Sequence, residues 1–517
     1  MMNKIFKHAG TTALLAGVIA IGALSIHDSQ AQTETEYTPR EQVEYNYAYS
    51  LGVQATVYGW APVMMEVALN LQTDVAAPTD NGQAPLNQLG PITRLWDYRD
   101  RSYTTPNNDT LYLQMWGDLE AQPMVLTVPE VENRYWMAQI VDMYTESVVD
   151  LSNATVGNDG GDFILAKKGF DGELPQGVPV FYSDTRYIWM AGRLGVTNIE
   201  DQAIARELQK QFRLTPLDQY PESQPQPEPL VSEGAPTVNF PQGLKWFDTL
   251  DKVLAENPLE SDRELVDSFK FIGINNGGTE SLSDVRKAAL NQAFADGFAI
   301  VRDAAVHTGV PVNGWNWEYD AGRYGTDYLL RAAVNMNSIG LNSPERAMYP
   351  KRYVDSQGEM LTGEHAYEIT FPADMAINEE LGGFWTVTMY DAQDRFMVEN
   401  EIDRFKVGSL SDHLIYNQDG SLTVYIASEK PSDEKRLANW LPAPKDGFML
   451  QIRMYEPKPE VYQGKFELPE MFLVEEAGGE TAALREARGD RGNYSCINSP
   501  LCWGNSLRPT PNGSIAS

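Results

Sequence analysis

The sequence has 517 residues, of which 72 are acidic and 40 are basic, so the formal net charge at pH 7 is −32. A surface of this sign repels phosphate backbones and anionic lipid surfaces, which disfavours a nucleic-acid partner. The length is too great for one ordinary hydrophobic core and indicates two or three domains.

Residues 1–31 have the pattern of a signal peptide. Lys4 and Lys7 supply positive charge, residues 13–24 form an apolar run, and Ser-Gln-Ala at 29–31 is a small-residue cleavage site. The run is short for a bilayer span and polar residues follow it, so we predict cleavage after Ala31 and a periplasmic or secreted protein. An uncleaved anchor is the alternative. No later window approaches 18 consecutive apolar residues, so no membrane span is expected in the mature chain.

Hydrophobic periodicity and turn residues divide the rest of the chain. Apolar residues at three- and four-residue steps predict a helix over 40–71, with a break or kink near Pro62, and further helices between 242 and 345. Alternating apolar residues predict strands elsewhere. The predicted parts are an N-terminal helical segment and loop (32–105), a first β unit (106–213), a Pro-rich linker (214–241), a helical region (242–345), a second β unit (346–473) and a flexible tail (474–517).

The first β unit is organised around Thr-Pro-Asn-Asn-Asp-Thr-Leu-Tyr at 105–112. Turn-forming residues there lead into a half-buried strand, and two more strands follow to form a meander. Short strands of this kind predict a sandwich. The second β unit has alternating strands at 383–391 and 448–455, for which a jelly roll is the expected closure.

Two smaller features outside the β units lead to predictions. Tyr324, Tyr328 and Arg331 share one face of a predicted helix, which either presents aromatic rings and a charge to a cavity or is an ordinary packing helix. Cys496 and Cys502 are the two cysteines of the chain, and in an exported protein they are predicted to close a small disulfide loop in the tail.

Several motifs carry a family resemblance. In the first β unit they are TPNNDTLY and Arg134-Tyr135 leading to Asp142, and in the second β unit they are FWTVTMYD, NQDGSLTVYI and NWLPAP. The first unit resembles the domain of unknown function DUF1254, and the second unit resembles its usual partner, DUF1214. The resemblance implies a multidomain α+β chain with an immunoglobulin-like β-sandwich, a helical region and a C-terminal jelly-roll β-sandwich. It implies no established activity, so no catalytic role is carried over.

The motifs of several enzyme classes are missing from the sequence. There is no Gly-x-Ser-x-Gly, no His-Glu-x-x-His, no cysteine in the body of the protein and no glycine-rich phosphate loop before a helix. These features disfavour nucleophilic hydrolysis, zinc sites and nucleotide use. We therefore predict neither a metal nor a cofactor.

What remains is the chemistry of carboxylates, arginines and aromatic rings at strand ends. Such groups serve proton transfer, glycosyl transfer or stacking against flat ligands. Turns and structural ion pairs use the same residue types, so each position also has a purely structural interpretation. The candidate ligand-binding residues are Asn107, Asn108, Asp109, Arg134, Asp142, Tyr144, Tyr324, Tyr328, Arg331, Trp385, Tyr390, Asp391 and Arg453.

Two function classes follow from these candidates. The favoured one is an exported protein that handles a small molecule or glycan in an aromatic and acidic cleft between the two β units. The alternative is a hydrolase or lyase that depends on carboxylate, Tyr and Arg groups, for which two facing carboxylates with raised pKa values are the expected signature. A structural envelope protein is a third possibility. The sequence indicates no oligomeric state.

Overall fold

A computed structural model of the chain describes residues 37–101, 105–232 and 240–474. The predicted signal peptide and the predicted Cys496–Cys502 disulfide lie outside these residues. Across the described ranges, no helix combines the length and apolar character needed to cross a membrane. The α-helices are α1 (Pro39–Thr73), α2 (Asn153–Val156), α3 (Ile199–Gln209), α4 (Leu244–Glu256), α5 (Arg263–Ser268), α6 (Asp284–His307), α7 (Tyr328–Asn337), α8 (Glu434–Ala438) and α9 (Pro459–Tyr462).

Helix α1 begins at a capping box. The Thr38 hydroxyl accepts a hydrogen bond from the Glu41 amide at 3.3 Å, and the Glu41 carboxylate accepts one from the Thr38 amide at 2.8 Å. Pro39, which has no N–H to satisfy, occupies the first turn. These residues satisfy or remove donors that a helix start would otherwise leave without partners.

Pro62 lies inside α1, and the helix continues through it without a break. A proline has no N–H, so the carbonyl of Tyr58, four residues earlier, has no partner within the helix. Arg331 on α7 donates to this carbonyl from Nη2 at 3.2 Å. Its guanidinium lies 4.9 to 5.3 Å from the ring centroids of Tyr58, Tyr144 and Tyr328. A tertiary hydrogen bond thus replaces the one that the proline removes.

Helix α1 packs against α4, α6 and α7 to form the helical core. Large aromatic side chains fill this core, including the fully buried Trp60 and Trp246. The same core contains Trp116 and Trp189 of the first β unit. The helices and the first β unit therefore share one interior.

The first β unit consists of two packed sheets. The larger has the order β1-β2-β8-β4-β5 and the smaller the order β7-β6-β3-β9, with β6 and β7 paired in parallel. Strand β9 runs to Pro216, three residues past the predicted end of the unit. The strands are β1 (Leu89–Pro91), β2 (Thr110–Asp118), β3 (Met124–Val128), β4 (Trp136–Asp142), β5 (Ser147–Ser152), β6 (Gly161–Lys167), β7 (Val180–Ser183), β8 (Tyr187–Gly195) and β9 (Arg213–Pro216).

The second β unit also consists of two packed sheets. Its larger sheet follows β10-β11-β13-β19-β15-β16, with β12 also paired to β19, and its smaller sheet has the order β18-β17-β14-β20. Strands β10 and β11 come from the stretch predicted as helical. The strands are β10 (Val310–Val312), β11 (Trp315–Trp317), β12 (Ala347–Met348), β13 (Lys351–Arg352), β14 (Tyr367–Phe371), β15 (Phe384–Asp391), β16 (Lys406–Gly408), β17 (Leu422–Ala427), β18 (Trp440–Pro442), β19 (Phe448–Tyr455) and β20 (Met471–Leu473).

Each large sheet has one apolar face, which packs on its small sheet, and one face that carries polar residues, because side chains alternate along a strand. In the second unit, Val387 and Ile452 belong to the core shared with the small sheet. Their neighbours Thr386 and Arg453, directly opposite each other across β15 and β19, therefore fall on the other face. This polar face is turned toward the first β unit.

The large sheet of the first unit repeats this pattern. Leu113 and Met190 lie in the core between its two sheets. Tyr112 and Arg193, which are opposite each other across β2 and β8, fall on the other face. The polar part of this face meets the polar face of the second unit at the boundary between the β units, whereas Trp116 and Trp189 on the same face pack into the helical core.

Candidate functional site

The segment Pro106–Asp109 joins the two β units directly. The Tyr390 hydroxyl donates to the Pro106 carbonyl at 2.7 Å, and Nδ2 of Asn107 donates to the Tyr455 hydroxyl at 2.8 Å. The Lys406 ammonium donates to the Asn108 carbonyl. The turn that begins β2 is therefore fixed on the polar face of the second unit.

Asp109 is the fully buried charge in this junction. Its Oδ1 lies 2.9 Å from Nζ of Lys406, and its Oδ2 accepts a hydrogen bond from the Thr386 hydroxyl at 2.9 Å. A carboxylate at this depth is tolerated because its charge is balanced and hydrogen-bonded. Both carboxylate oxygens of Asp109 are thus used in contacts within the junction.

A first cavity of about 150 Å³ lies beside this junction. Tyr112, Gln114 and Arg193 of the first β unit form one wall, and Gln451 and Arg453 of the second form another. Residues 335–342, which are the last three residues of α7 and the five residues after it, form the third wall. Three parts of the chain therefore have to come together to build this cavity.

The third wall approaches the first β unit closely at Gly340. Its φ of +65° is unfavourable for residues with a side chain, and a Cβ there would come within 2.5 Å of the Trp189 ring. Nearby, the Tyr349 hydroxyl donates to Oδ1 of Asn342. Burial raises the pKa of Tyr349 to about 12, so this hydroxyl keeps its proton at neutral pH.

Two buried arginines face the first cavity. Arg193 donates to Oε1 of Gln139 at 3.3 Å and lies over the Tyr112 ring. Arg453 donates to the Thr388 hydroxyl at 3.1 Å and to the Thr105 carbonyl at 2.7 Å. Among the described residues neither forms an ion pair with a carboxylate, and the cavity lining contains no Asp or Glu. The site therefore has an excess of positive charge.

Several polar atoms of the cavity lining are buried without a hydrogen-bond partner in the described part of the protein. Buried polar atoms nearly always have a hydrogen-bond partner. A cluster of unpaired polar atoms in one cavity therefore indicates a site that binds a polar ligand. The unpaired atoms are Oε1 of Gln114, Nε1 of Trp189, Nε of Arg193, Nδ2 and Oδ1 of Asn335, and Oε1 of Gln451.

A second cavity of about 280 Å³ shares part of this lining, including Tyr349 and Gln451. Its own charged residues are Lys351, Arg395 and Glu318. Burial and the two nearby arginines, Arg395 and Arg453, lower the pKa of Lys351 to about 7. The two cavities thus adjoin, and both have basic walls.

Comparison with known families locates this site between two domains. A model of DUF1254, described as a protein of unknown function, matches residues 86–216, and a model of DUF1214, with the same description, matches residues 346–459. The chain carries both domains. The predicted family resemblance is confirmed. The DUF1254 domain supplies Arg193, the DUF1214 domain supplies Arg453, and the wall at 335–342 lies between the two matches.

A solved structure shares the fold. The crystal structure of the VPA0106 protein from Vibrio parahaemolyticus is 24% identical and has a TM-score of 0.62, and the match covers 83% of this chain and 100% of that one. An uncharacterized protein from Burkholderia cenocepacia is 13% identical, with a TM-score of 0.41 and coverage of 84% and 97%. No curated protein matches the chain.

Of the candidates predicted from sequence, Asn107 and Arg453 line the first cavity. Asn108, Asp109 and Tyr390 lie at the adjoining junction between the DUF1254 and DUF1214 domains, through the hydrogen bonds described above. These five residues are therefore brought together.

Three other candidates have structural contacts away from both cavities. Arg134 pairs with Asp201 and does not contact Asn108 or Asp109 among the described residues. Trp385 lies on the apolar face of β15, with its ring centroid 4.6 Å from that of Phe371. Asp391 ends the same strand and accepts hydrogen bonds from two backbone amides of the following turn.

The remaining candidates lie where the DUF1254 domain meets the helices. Tyr144 and Tyr328 surround Arg331, as described for α1, and the Tyr144 hydroxyl donates to the Asn257 carbonyl at 3.0 Å. Asp142 accepts hydrogen bonds from the amides of Tyr144 and Glu146, and Tyr324 is buried beside Glu146. This group lines neither cavity.

Sequence reasoning missed Arg193, Lys351 and most of the wall at 335–342. Arg193 had a signal, because a charged residue in the middle of the apolar strand 187–195 needs a polar surrounding. Lys351 lies in a two-residue strand with no such pattern. The cleft expected from sequence was acidic, whereas the first cavity is lined by arginines and no carboxylate.

Proposed function

We propose that this protein binds a small organic anion in the first cavity. The observation that carries the proposal is the pair of buried arginines, Arg193 and Arg453, facing a lining without Asp or Glu. Guanidinium groups suit carboxylates and phosphates, and a desolvated charge interacts strongly with a ligand of opposite sign. Tyr112 and Tyr349 line the same cavity and add aromatic contact area for the body of a ligand.

The proposal includes export and the finer fold assignments. Export is supported by the signal-peptide pattern of residues 1–31. The immunoglobulin-like and jelly-roll assignments are supported by the two pairs of packed sheets. The hydrolase or lyase alternative gains no support from the cavities, because Asp142 and Glu456, whose pKa values burial raises to about 7, line neither of them.

Calorimetric titration of the mature protein with benzoate and with its neutral analogue benzamide tests the proposal. A cavity of about 150 Å³ matches a ligand with one benzene-sized ring. Benzoate is expected to bind and benzamide to bind about tenfold more weakly or not at all, since only benzoate satisfies the arginines. Equal binding of both compounds, or binding of neutral sugars alone, would contradict an anion site.

Variants identify the residues responsible. Arg453→Gln and Arg193→Gln are expected to weaken benzoate binding by about 10- to 100-fold, the effect of losing a hydrogen bond between charged groups. Arg436→Gln is the matched control, because Arg436 pairs with Glu368 on the small sheet of the second β unit, outside both cavities. An unchanged affinity in both cavity variants would place the anion elsewhere.

A further inference from the structure

The amine of Lys351 in the second cavity has a setting unlike that of the other lysines. Lys351 lies on the polar face of the large sheet, between Asn316 of β11 and Gln451 of β19. Within the described residues its Nζ has neither an ion pair nor a hydrogen bond, although Glu318 lines the same cavity. An amine without a partner is free to react with a ligand.

The neighbouring charges favour the reactive form of this amine. Arg395 lines the same cavity as Lys351, and Arg453 lines the adjoining one. Burial lowers the pKa of Lys351 to about 7, and both guanidinium groups contribute because they oppose a further positive charge. About half of the amine is then unprotonated at neutral pH, compared with about one part in 2,500 for an ordinary lysine. A desolvated lysine beside another cation is a known way to activate an amine nucleophile.

We propose that Lys351 forms an imine with a small anionic carbonyl compound, an oxo acid or an aldehyde acid, that is held by the arginines of the adjoining cavity. This inference rests on the proposed anion site. The Nζ lone pair attacks the carbonyl carbon, the π electrons move to the oxygen, and one of the two Nζ protons is transferred to that oxygen to give the carbinolamine. The hydroxyl then leaves with the second Nζ proton as water, which leaves a C=N bond. Glu318, in the same cavity, is placed to exchange these protons.

Reductive trapping with 4-carboxybenzaldehyde tests the inference, because this compound is benzoate with an aldehyde group. The mature protein is incubated with the aldehyde and cyanoborohydride at pH 7, and the modified lysines are located by peptide mass spectrometry. Lys351 is expected to be labelled about tenfold or more faster than exposed lysines. Excess benzoate should slow this labelling, whereas excess benzamide should not.

Two variants control the experiment. Lys351→Arg keeps the positive charge but removes the nucleophile, so the fast labelling should disappear while benzoate still binds. Lys458→Arg, which replaces a lysine paired with the exposed Asp374, should change neither result. Because the wild-type chain is mapped directly, the test does not depend on the folding of a variant.

The outcomes separate the two proposals. Benzoate binding combined with labelling of Lys351 no faster than that of surface lysines would overturn the imine and keep the anion site. Fast labelling of Lys351 that benzoate does not slow would support the reactive amine and contradict the anion site. Absence of both effects would overturn both.

Discussion

The Asp142 carboxyl illustrates how a single buried group ties stability to pH. Its Oδ1 accepts hydrogen bonds from the Tyr144 amide at 2.8 Å and the Glu146 amide at 3.0 Å. Burial nevertheless raises its pKa to about 7, since these two bonds do not make up for the loss of water. The folded protein therefore holds a proton at Asp142 that the unfolded chain releases above about pH 4.

This proton gives a pH dependence of known sign. The stabilising contribution of a raised pKa is complete below about pH 4 and is lost as the pH rises through about 7. Asp142→Asn keeps an acceptor but cannot titrate, so the fall in the free energy of unfolding between pH 5 and pH 8 should shrink by on the order of 2 kcal/mol. Urea denaturation at both pH values measures it. Asp374→Asn is the control, because the Ala376 amide and Lys458 lower the pKa of Asp374 and its titration lies below this range.

At the residue scale, part of the site was predictable from the sequence. Arg453 and Asn107 were identified because polar residues beside apolar strands are few. Trp385 was assigned to a cleft although Val387 and Met389 share its alternation, a pattern that places all three on the apolar face. Lys351 and Gly340 were not predictable, since their importance comes from neighbours far away in the chain.

At the scale of elements, helix α1 depends on a side chain from another helix. Pro62 has no N–H to donate to the Tyr58 carbonyl, and the Arg331 side chain donates this hydrogen bond instead. The sequence predicted the cost of the proline but not its compensation, because Pro62 and Arg331 are 269 positions apart in the chain. Local patterns report local hydrogen bonds only.

This replacement of one hydrogen bond by another predicts that Pro62 and Arg331 are energetically coupled. Arg331→Met leaves the Tyr58 carbonyl buried without a donor and should cost about 1–3 kcal/mol of stability. In the Pro62→Ala background the helix can make its own bond, so the same change should cost about 1 kcal/mol less. Urea denaturation of the four proteins gives the coupling. An equal cost of Arg331→Met in both backgrounds would show that Arg331 does not act by replacing the hydrogen bond. Arg302→Met, on the exposed side of α6, is the control and should show no coupling to Pro62→Ala.

At the scale of the whole molecule, the β units are joined both through an apolar cluster, in which Tyr135 and Met137 contact Phe384 and Tyr455, and through charged and polar groups. Asp109 comes from the first unit, and Lys406 and Thr386 come from the second. The alternation in FWTVTMYD and FMLQIRMY allowed the strands to be predicted. It does not show which other part of the protein each face of a sheet contacts, because that depends on the tertiary structure. At the first cavity the two units contribute polar residues, among them Arg193 and Gln451.

Removing one side of the buried ion pair should weaken the whole assembly. Lys406→Met leaves the fully buried Asp109 carboxylate without its cation, for an expected cost of about 3–5 kcal/mol. Differential scanning calorimetry should show a lower melting temperature, and Asp109→Asn in addition should recover part of it. The surface pair of Lys430 and Glu401 is the control, and Lys430→Met should change stability by about 0.5 kcal/mol or less. A similar small effect of Lys406→Met would refute the role of this pair.

The buried arginines lie within a chain whose net charge is −32, and this contrast affects the speed of association. An approaching anion first meets long-range repulsion, which dissolved ions screen over about 10 Å at 0.1 M ionic strength. The guanidinium groups act only after entry, where screening is weak. Added salt is therefore expected to accelerate capture of an anion and to affect its release much less, the reverse of ordinary electrostatic steering.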